Sequence, residues 1–255
     1  MSIALIQGAG RGLGLEFARV LSLRPNVQVI ATCRQPEKST GLQELSGVDV
    51  QALDVNQEGQ IHKLSEYVQG KYGKVDFLLN SSGMLHPSGR GETRLADVDL
   101  TGIQETFMVN TFAPLMMAKH FTPVLKKGSG SFGAKSADGK QTHSAVMASL
   151  SARVGSIGDN RLGGWYSYRM SKTALNMANR NLAVEFGRGK NQIICLALHP
   201  GTVDTDISRP YHKNVPKDQL FSVEHSVKQL LDLVDNATLK DSGRYMDYSG
   251  TDIPF

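Results

Sequence analysis

Tyr168 and Lys172 stand four residues apart in YSYRMSKTAL, residues 166–175, a stretch with helical patterning. Residues i and i+4 of a helix share a face, so both side chains can enter one cleft. A free tyrosine has a pKa of about 10 and shuttles protons poorly at neutral pH. A nearby ammonium favours the phenolate and lowers that value, and a general acid works best when its pKa lies near the working pH. A phenol with a cation one turn away therefore makes a tuned acid. The same spacing recurs at Tyr67 and Lys71. There, Gly70 interrupts the helix and no hydroxyl-bearing strand precedes it, so that pair reads as surface.

A second constellation opens the chain. QGAGRGLGLEF places Gly8, Gly12 and Gly14 between an apolar run and an amphipathic helix. Residues without side chains allow the tight turn and let a pyrophosphate approach the backbone and the positive helix N-terminus. A dinucleotide site follows from that strand–loop–helix context. The end of the second strand, ATCRQ, carries Arg34 and no acid until Glu37, while Arg11 lies inside the glycine loop. A carboxylate there would hold a ribose 2′-hydroxyl; two guanidiniums instead suit a 2′-phosphate. NADP(H) is expected over NAD(H).

The elements that must position these groups alternate along the chain. SIALIQG, VQVIATCR, VDVQALDV, VDFLLNSSG, SAVMASLSA, QIICLALHPG and GRYMDYSG read as strands, separated by helical patterns. Strand–helix alternation of this length implies βαβ crossovers and a parallel sheet covered on both faces. One long helix, kinked at Pro114, is expected across residues 105–127. Lys126 to His143, rich in Gly, Ser and Lys, reads as a mobile surface loop. The 255 residues, 40% of them hydrophobic, fit one α/β domain spanning 1–255. No apolar run is long enough to cross a membrane. The N-terminus reads as a first strand and not a signal peptide. Net charge is only +4, with Lys and Arg scattered, so nucleic acid is not an expected partner. Cys33 and Cys195 suit neither a disulfide framework nor a metal cluster; they read as buried thiols in a reducing, cytoplasmic setting.

Taken in order, these motifs resemble the short-chain dehydrogenase/reductase family over nearly the whole chain. The glycine loop is similar to its Thr-Gly-x-x-x-Gly-x-Gly, LDV (residues 53–55) to its adenine-contacting segment, and NSSG (80–83) to its Asn-Asn-Ala-Gly turn. MVNTFAP carries the tetrad asparagine, Asn110; YSYRMSK matches Tyr-x-x-x-Lys, and HPGTVDTD the Pro-Gly segment over the nicotinamide. SARVGSIG, GGWYSYRMSK and MDYSGTDIPF look most like the C-factor and Sniffer-like carbonyl reductase branch. The resemblance implies a Rossmann-type, doubly wound α/β fold and reduction of a small-molecule carbonyl. It makes Tyr168 the acid, has Lys172 hold the nicotinamide ribose, and has Asn110 support a water link. It also implies a cofactor shell: Gly8, Gly10, Arg11, Gly12, Leu13 and Gly14 in the first loop, Arg34, and Asp54 with Val55. Asn80, Ser81 and Gly83 follow, then Tyr168, Lys172, Pro200, Gly201, Val203 and Thr205. A homodimer or homotetramer through the helices of FAPLMMAKHF and ALNMANRNLAVEF is likewise implied.

The chain departs from the family pattern in three places. Gln7 stands where threonine is usual, which would loosen the turn. Serines replace the small residues between Asn80 and Gly83. At the end of the fifth strand, alignment on Gly155 puts Ser151 on the first of two usual serines and Ala152 on the second. Ser151 is the expected substrate-orienting hydroxyl, with Ser149 the alternative. The segment 206–222, with Pro210, Tyr211, Val215, Leu220 and Phe221, reads equally as a substrate cover or an ordinary loop. Trp165, the only tryptophan, reads first as core and second as cleft lining. A non-catalytic NADP(H)-binding sensor on the same fold is the rival reading.

Overall fold

β1 (Ser2–Gln7) passes through the glycine loop into α1 (Gly12–Ser22), followed by β2 (Val27–Cys33), α2 (Thr40–Gln43) and β3 (Asp49–Ala52). Next come α3 (Glu58–Tyr72), β4 (Phe77–Asn80), α4 (Leu100–Phe107) and α5 (Ala113–Leu125). The chain continues through β5 (Ala145–Leu150), α6 (Tyr166–Phe186) and β6 (Ile193–His199). It ends with β7 (Thr202–Val203), β8 (Leu220–Phe221), α7 (Val223–Asn236) and β9 (Tyr245–Asp247). This computed structural model describes every residue except Ala137, Lys217 and Asp218. The first lies in the Gly/Ser/Lys loop and the other two in the 206–222 segment, so those parts of the two sequence expectations fall outside the described residues.

Seven strands pair in the order β3-β2-β1-β4-β5-β6-β9, every ladder parallel. Side chains alternate across a strand, and both faces find a helical cover. Ile6, Phe77, Val146 and Leu196 pack with Phe17 and Leu21 of α1 and Leu230 and Val234 of α7. Leu5, Leu78, Met147 and Cys195 pack on the other side with Ile61 of α3, Phe121 of α5 and Phe186 of α6. Each such side chain contributes about 1.5–3 kcal/mol on full burial. This two-sided demand explains the near-continuous apolar runs in β4 and β6.

After β1 the chain runs outward to β2 and β3, then returns to the other side of β1 with β4. The loops at the carboxyl ends of β1 and β4 therefore diverge and leave a crevice, the usual ligand position in such sheets.

Two expectations need correction. The helix expected over 105–127 is two helices joined by a π turn, Met108–Phe112, with the Ala113 N–H donating to Met108 O. Pro114 has no N–H for the Asn110 carbonyl and would crowd it, so the irregularity falls on Asn110, before the proline. The Lys126–His143 loop is anchored, not wholly surface. Phe132 is buried and stacks on Phe77 at 5.1 Å, Ala134 N–H donates to Ala237 O at 2.8 Å, and buried His143 contacts Phe132 O at 2.6 Å.

Candidate active site

The glycine loop reaches the crevice on two left-handed residues, Gly8 at φ 86° and Gly12 at φ 54°. A Cβ on Gly14 would collide with the Gly8 carbonyl, so α1 can seat this close to β1 only with glycine there. The first turn of α1, which includes Leu13, carries no acid, and its cap residue Arg11 makes no side-chain cap. That end keeps donors and positive potential for an anion. Ser39 Oγ donates to Gly10 O at 2.8 Å, fixing the loop's far side.

Gln7 does not loosen the turn. It is buried, its amide donates to Ser82 Oγ, and its Oε1 accepts from the Ser82 N–H at 3.3 Å. Ser81 N–H donates to Gln7 O at 2.9 Å. Two departures from the family pattern, Gln7 and the second serine of NSSG, thus bind each other and tie the β1 loop to the β4 loop.

Arg34 is exposed and makes no ion pair among the described residues. Arg11 pairs with Asp206 at 2.7 Å across two exposed side chains. Asp54 is braced by Gln60 and Asn56, at 2.8 and 3.0 Å, and Val55 beside it is buried. Asn80 donates to Ser149 Oγ at 3.1 Å, while its buried Oδ1 has no partner among the described residues. An orphaned acceptor on the crevice wall fits an absent donor. A Cβ at Gly83 would lie 3.7 Å from Ile207, 3.8 Å from Asn110 Oδ1 and 3.9 Å from Lys172 Nζ. Gly83 therefore keeps open the space these side chains border. The glycine loop, the orphaned Asn80 acceptor, this gap and the two guanidiniums fit a phosphorylated dinucleotide.

Asn110 and Lys172 both border the space at Gly83. Asn110 is fully buried; its side chain donates to Met84 O at 2.7 Å and to Ser171 Oγ at 3.0 Å and accepts from the Met84 N–H at 2.8 Å. It thereby locks the β4 loop to α6. Lys172 donates to Leu150 O at 2.7 Å and lies 5.7 Å from the Tyr168 ring centroid. It is 3% exposed, and burial lowers it from 10.5 to about 8. Burial pushes Tyr168 up to about 12, opposite to the lowering expected from lysine. Desolvation disfavours the charged phenolate and raises Tyr168.

The serines occupy different environments. Ser151 Oγ is buried and donates to Asn176 Oδ1 at 2.6 Å; Ser149 Oγ accepts from Asn80. Ala152 presents no hydroxyl, and its carbonyl accepts from Tyr245 Oη at 2.6 Å. In the Pro-Gly segment, Pro200 O accepts from Ser226 Oγ at 2.7 Å and Gly201 is left-handed at φ 82°. Buried Val203 then pairs with Phe221 in the β7–β8 ladder. Thr205 lies across the cofactor loop, 3.5 Å from where a Gly12 Cβ would sit. Within 206–222, Asp206 pairs with Arg11 of the β1 loop and Tyr211 Oη accepts from the Gly91 N–H after β4, so the segment touches both loops.

Of three further site residues, only Glu92 had no usable sequence signal. Glu92, buried in irregular chain, accepts from the Ser167 N–H at 3.1 Å and from Ser167 Oγ, capping α6 from 75 residues away. Tyr211 Oη accepts from the Gly91 N–H at 2.9 Å. Trp165, read first as core and second as cleft lining, is half-buried and edges Tyr168 at 6.3 Å. The earlier surface pair behaves differently: Lys71 and Tyr67 both donate to Asp49, at 3.1 and 2.8 Å, and Tyr72 does so at 2.6 Å. That pair pins α3 to edge strand β3.

The family profile described as short chain dehydrogenase matches residues 2–216. The C-signal protein of Myxococcus xanthus is 33% identical over 183 residues, covering 72% of this chain and 94% of the relative. Carbonyl reductase Sniffer of D. melanogaster superposes with a TM-score of 0.85 at 29% identity, over 100% of this chain and 99% of that one. An NADPH-bound carbonyl reductase from chicken fatty liver gives 0.83 at 29% identity, over 100% and 98%.

Proposed function

Because the chain belongs to the short-chain dehydrogenase family, we propose that it is an NADP(H)-dependent reductase of an aldehyde, ketone or quinone. The observation that carries this reading is the buried Lys172 ammonium beside Tyr168, across from Asn110 at the gap left by Gly83. NADPH, when bound, supplies the hydride for the carbonyl carbon. The remaining chemistry is the chain's own. Tyr168 Oη donates its proton to the carbonyl oxygen as negative charge develops there. A value of about 12 keeps that proton in place through neutral pH. Lys172 places a positive charge beside the phenol and stabilises the phenolate left behind. Asn110 holds the β4 loop against α6 so that the two sides of the site keep their spacing. Arg34 and Arg11 would grip a 2′-phosphate, Arg11 by exchanging Asp206 for it. The resemblance of the Sniffer and chicken enzymes, carbonyl reductases at 29% identity over the full chain, supports the same reaction class.

A second reading is favoured by Ala152 and by the commitment of Ser151 to Asn176. A chain with no free serine hydroxyl at that point would bind NADP(H) without turnover and act as a sensor. NADPH and NADH oxidation against quinones, dicarbonyls and aldehydes, by wild type and Tyr168→Phe, separates the two. NADPH-preferring turnover lost in the variant supports the reductase. NADPH binding without turnover of any substrate supports the sensor.

One domain over 1–255, working in the cytoplasm where the unpaired thiols Cys33 and Cys195 stay reduced, completes the proposal. Met170, Met177 and Val184 stand exposed at seven-residue intervals on α6. This stripe suits self-association into a homodimer or homotetramer.

A further inference from the structure

The turn into α6 consists of three consecutive left-handed residues: Gly163 and Gly164 at φ 63°, then Trp165 at φ 49° and ψ 46°. Glycine takes this conformation freely, whereas a residue with a Cβ is strained in it. Several neighbours hold the strain in place. The Trp165 N–H donates to Glu92 O at 2.5 Å. Ser167, two residues on, is bound through N–H and Oγ to the Glu92 carboxylate. Arg169 donates to the carbonyls of Gly163 and Gly164 at 3.1 Å each, and to Val154 O at 3.2 Å. Trp165 gains no full burial in return, since it stays half-buried. Strain that is over-determined by its surroundings and unrewarded by core packing points to function.

What the strain delivers is the place of the indole. A Cβ at Gly91 would lie 2.7 Å from the indole Cγ and 2.9 Å from Nε1, so only glycine admits the ring there. The Tyr211 ring packs on the indole at 4.6 Å, and its hydroxyl is held by the Gly91 N–H at 2.9 Å. The Tyr168 ring meets the indole edge-on at 6.3 Å, with planes at 73°. The β4 loop, the α6 turn and the 206–222 segment thus converge to stand two aromatic rings beside the acid. A carbonyl whose oxygen meets Tyr168 Oη carries its substituent toward those rings.

We propose that Trp165 and Tyr211 are specificity-determining residues, forming a wall that selects carbonyls bearing a planar aryl or conjugated substituent. The proposal rests on the reductase reading and narrows its substrate class. Against such rings a planar π system gains edge or offset contact that a saturated ring of equal size does not, a difference of about 10-fold in selectivity.

Acetophenone and cyclohexyl methyl ketone make the test, since they share a carbon count and differ in the planarity of one ring. The ratio of their kcat/KM values with NADPH is measured for wild type, Trp165→Leu and Tyr211→Leu; a ratio within one preparation is insensitive to the fraction of folded enzyme. It should fall about 3-fold from wild type in each variant, since each leaves the other ring in place. Saturation-transfer NMR reads the binding of each ketone without turnover, and the aryl preference seen there should disappear with Trp165→Leu. Turnover with ratios unchanged in both variants overturns the wall and leaves the reductase standing. If wild type reduces neither ketone, the NMR decides. Aryl-preferring binding lost in the variants keeps the wall while the reductase reading falls, and equal binding of both ketones overturns the wall as well.

Discussion

Replacing Lys172 by methionine should abolish turnover and yet stabilise the fold at pH 7. The ammonium is 3% exposed, and burial brings its pKa from 10.5 to about 8. At about 1.36 kcal/mol per pKa unit, keeping it charged in the folded state costs about 3 kcal/mol. Methionine has similar length and carries no charge. It loses the hydrogen bond to Leu150 O and the charge over the Tyr168 ring, and leaving that carbonyl unpaired costs about 1–3 kcal/mol. The net gain at pH 7 is about 0–2 kcal/mol. The pH dependence has a definite sign. Between about 8 and 10.5 the unfolded chain binds a proton that the folded chain has released, so wild-type stability rises with pH through that window. The advantage of Lys172→Met should therefore shrink by about 2 kcal/mol between pH 7 and pH 9.5. Urea unfolding of both proteins at the two pH values reads this directly. Equal destabilisation of the variant at both would refute the claim that Lys172 is held charged against its burial.

Removing the Glu92 carboxylate strips two buried donors on Ser167 of their acceptor; Glu92→Ala should lose about 2–3 kcal/mol in urea unfolding, with more than half recovered in Glu92→Gln, which keeps an oxygen there. Arg34→Leu should raise the KM for NADPH about 10–100-fold and leave that for NADH nearly unchanged, since one charge-assisted contact is lost only with the 2′-phosphate. Phe132→Ala, which empties a buried stack on Phe77, should cost about 3–5 kcal/mol in denaturant; a change within experimental error would return the Lys126–His143 loop to the surface.

Local chemistry was legible in the sequence wherever a residue's task is set by its neighbours along the chain. The glycine loop, the strand–helix alternation and the Tyr168–Lys172 spacing are of this kind, because turn conformation, side-chain periodicity and the i,i+4 relation all act within one element. They fixed a doubly wound parallel sheet and the helix that carries the candidate acid. The pairing of Gln7 with Ser82 was not legible, since each looks like an imperfection until β1 and β4 lie side by side. Neither was Glu92, whose cap on α6 spans 75 residues and has no periodicity to betray it.

The protonation of the site was decided at the same level. Sequence spacing brings a cation within reach of Tyr168, but only the packed structure determines that burial raises the phenol to about 12 while drawing the ammonium down to about 8. Desolvation depends on everything that excludes water from a group. Hence the sequence by itself determined which residues form the Tyr–Lys pair and the element that presents it. The tertiary structure alone decided how strongly each holds its proton, which partner each serine hydroxyl bonds, and that Trp165 stands beside Tyr168.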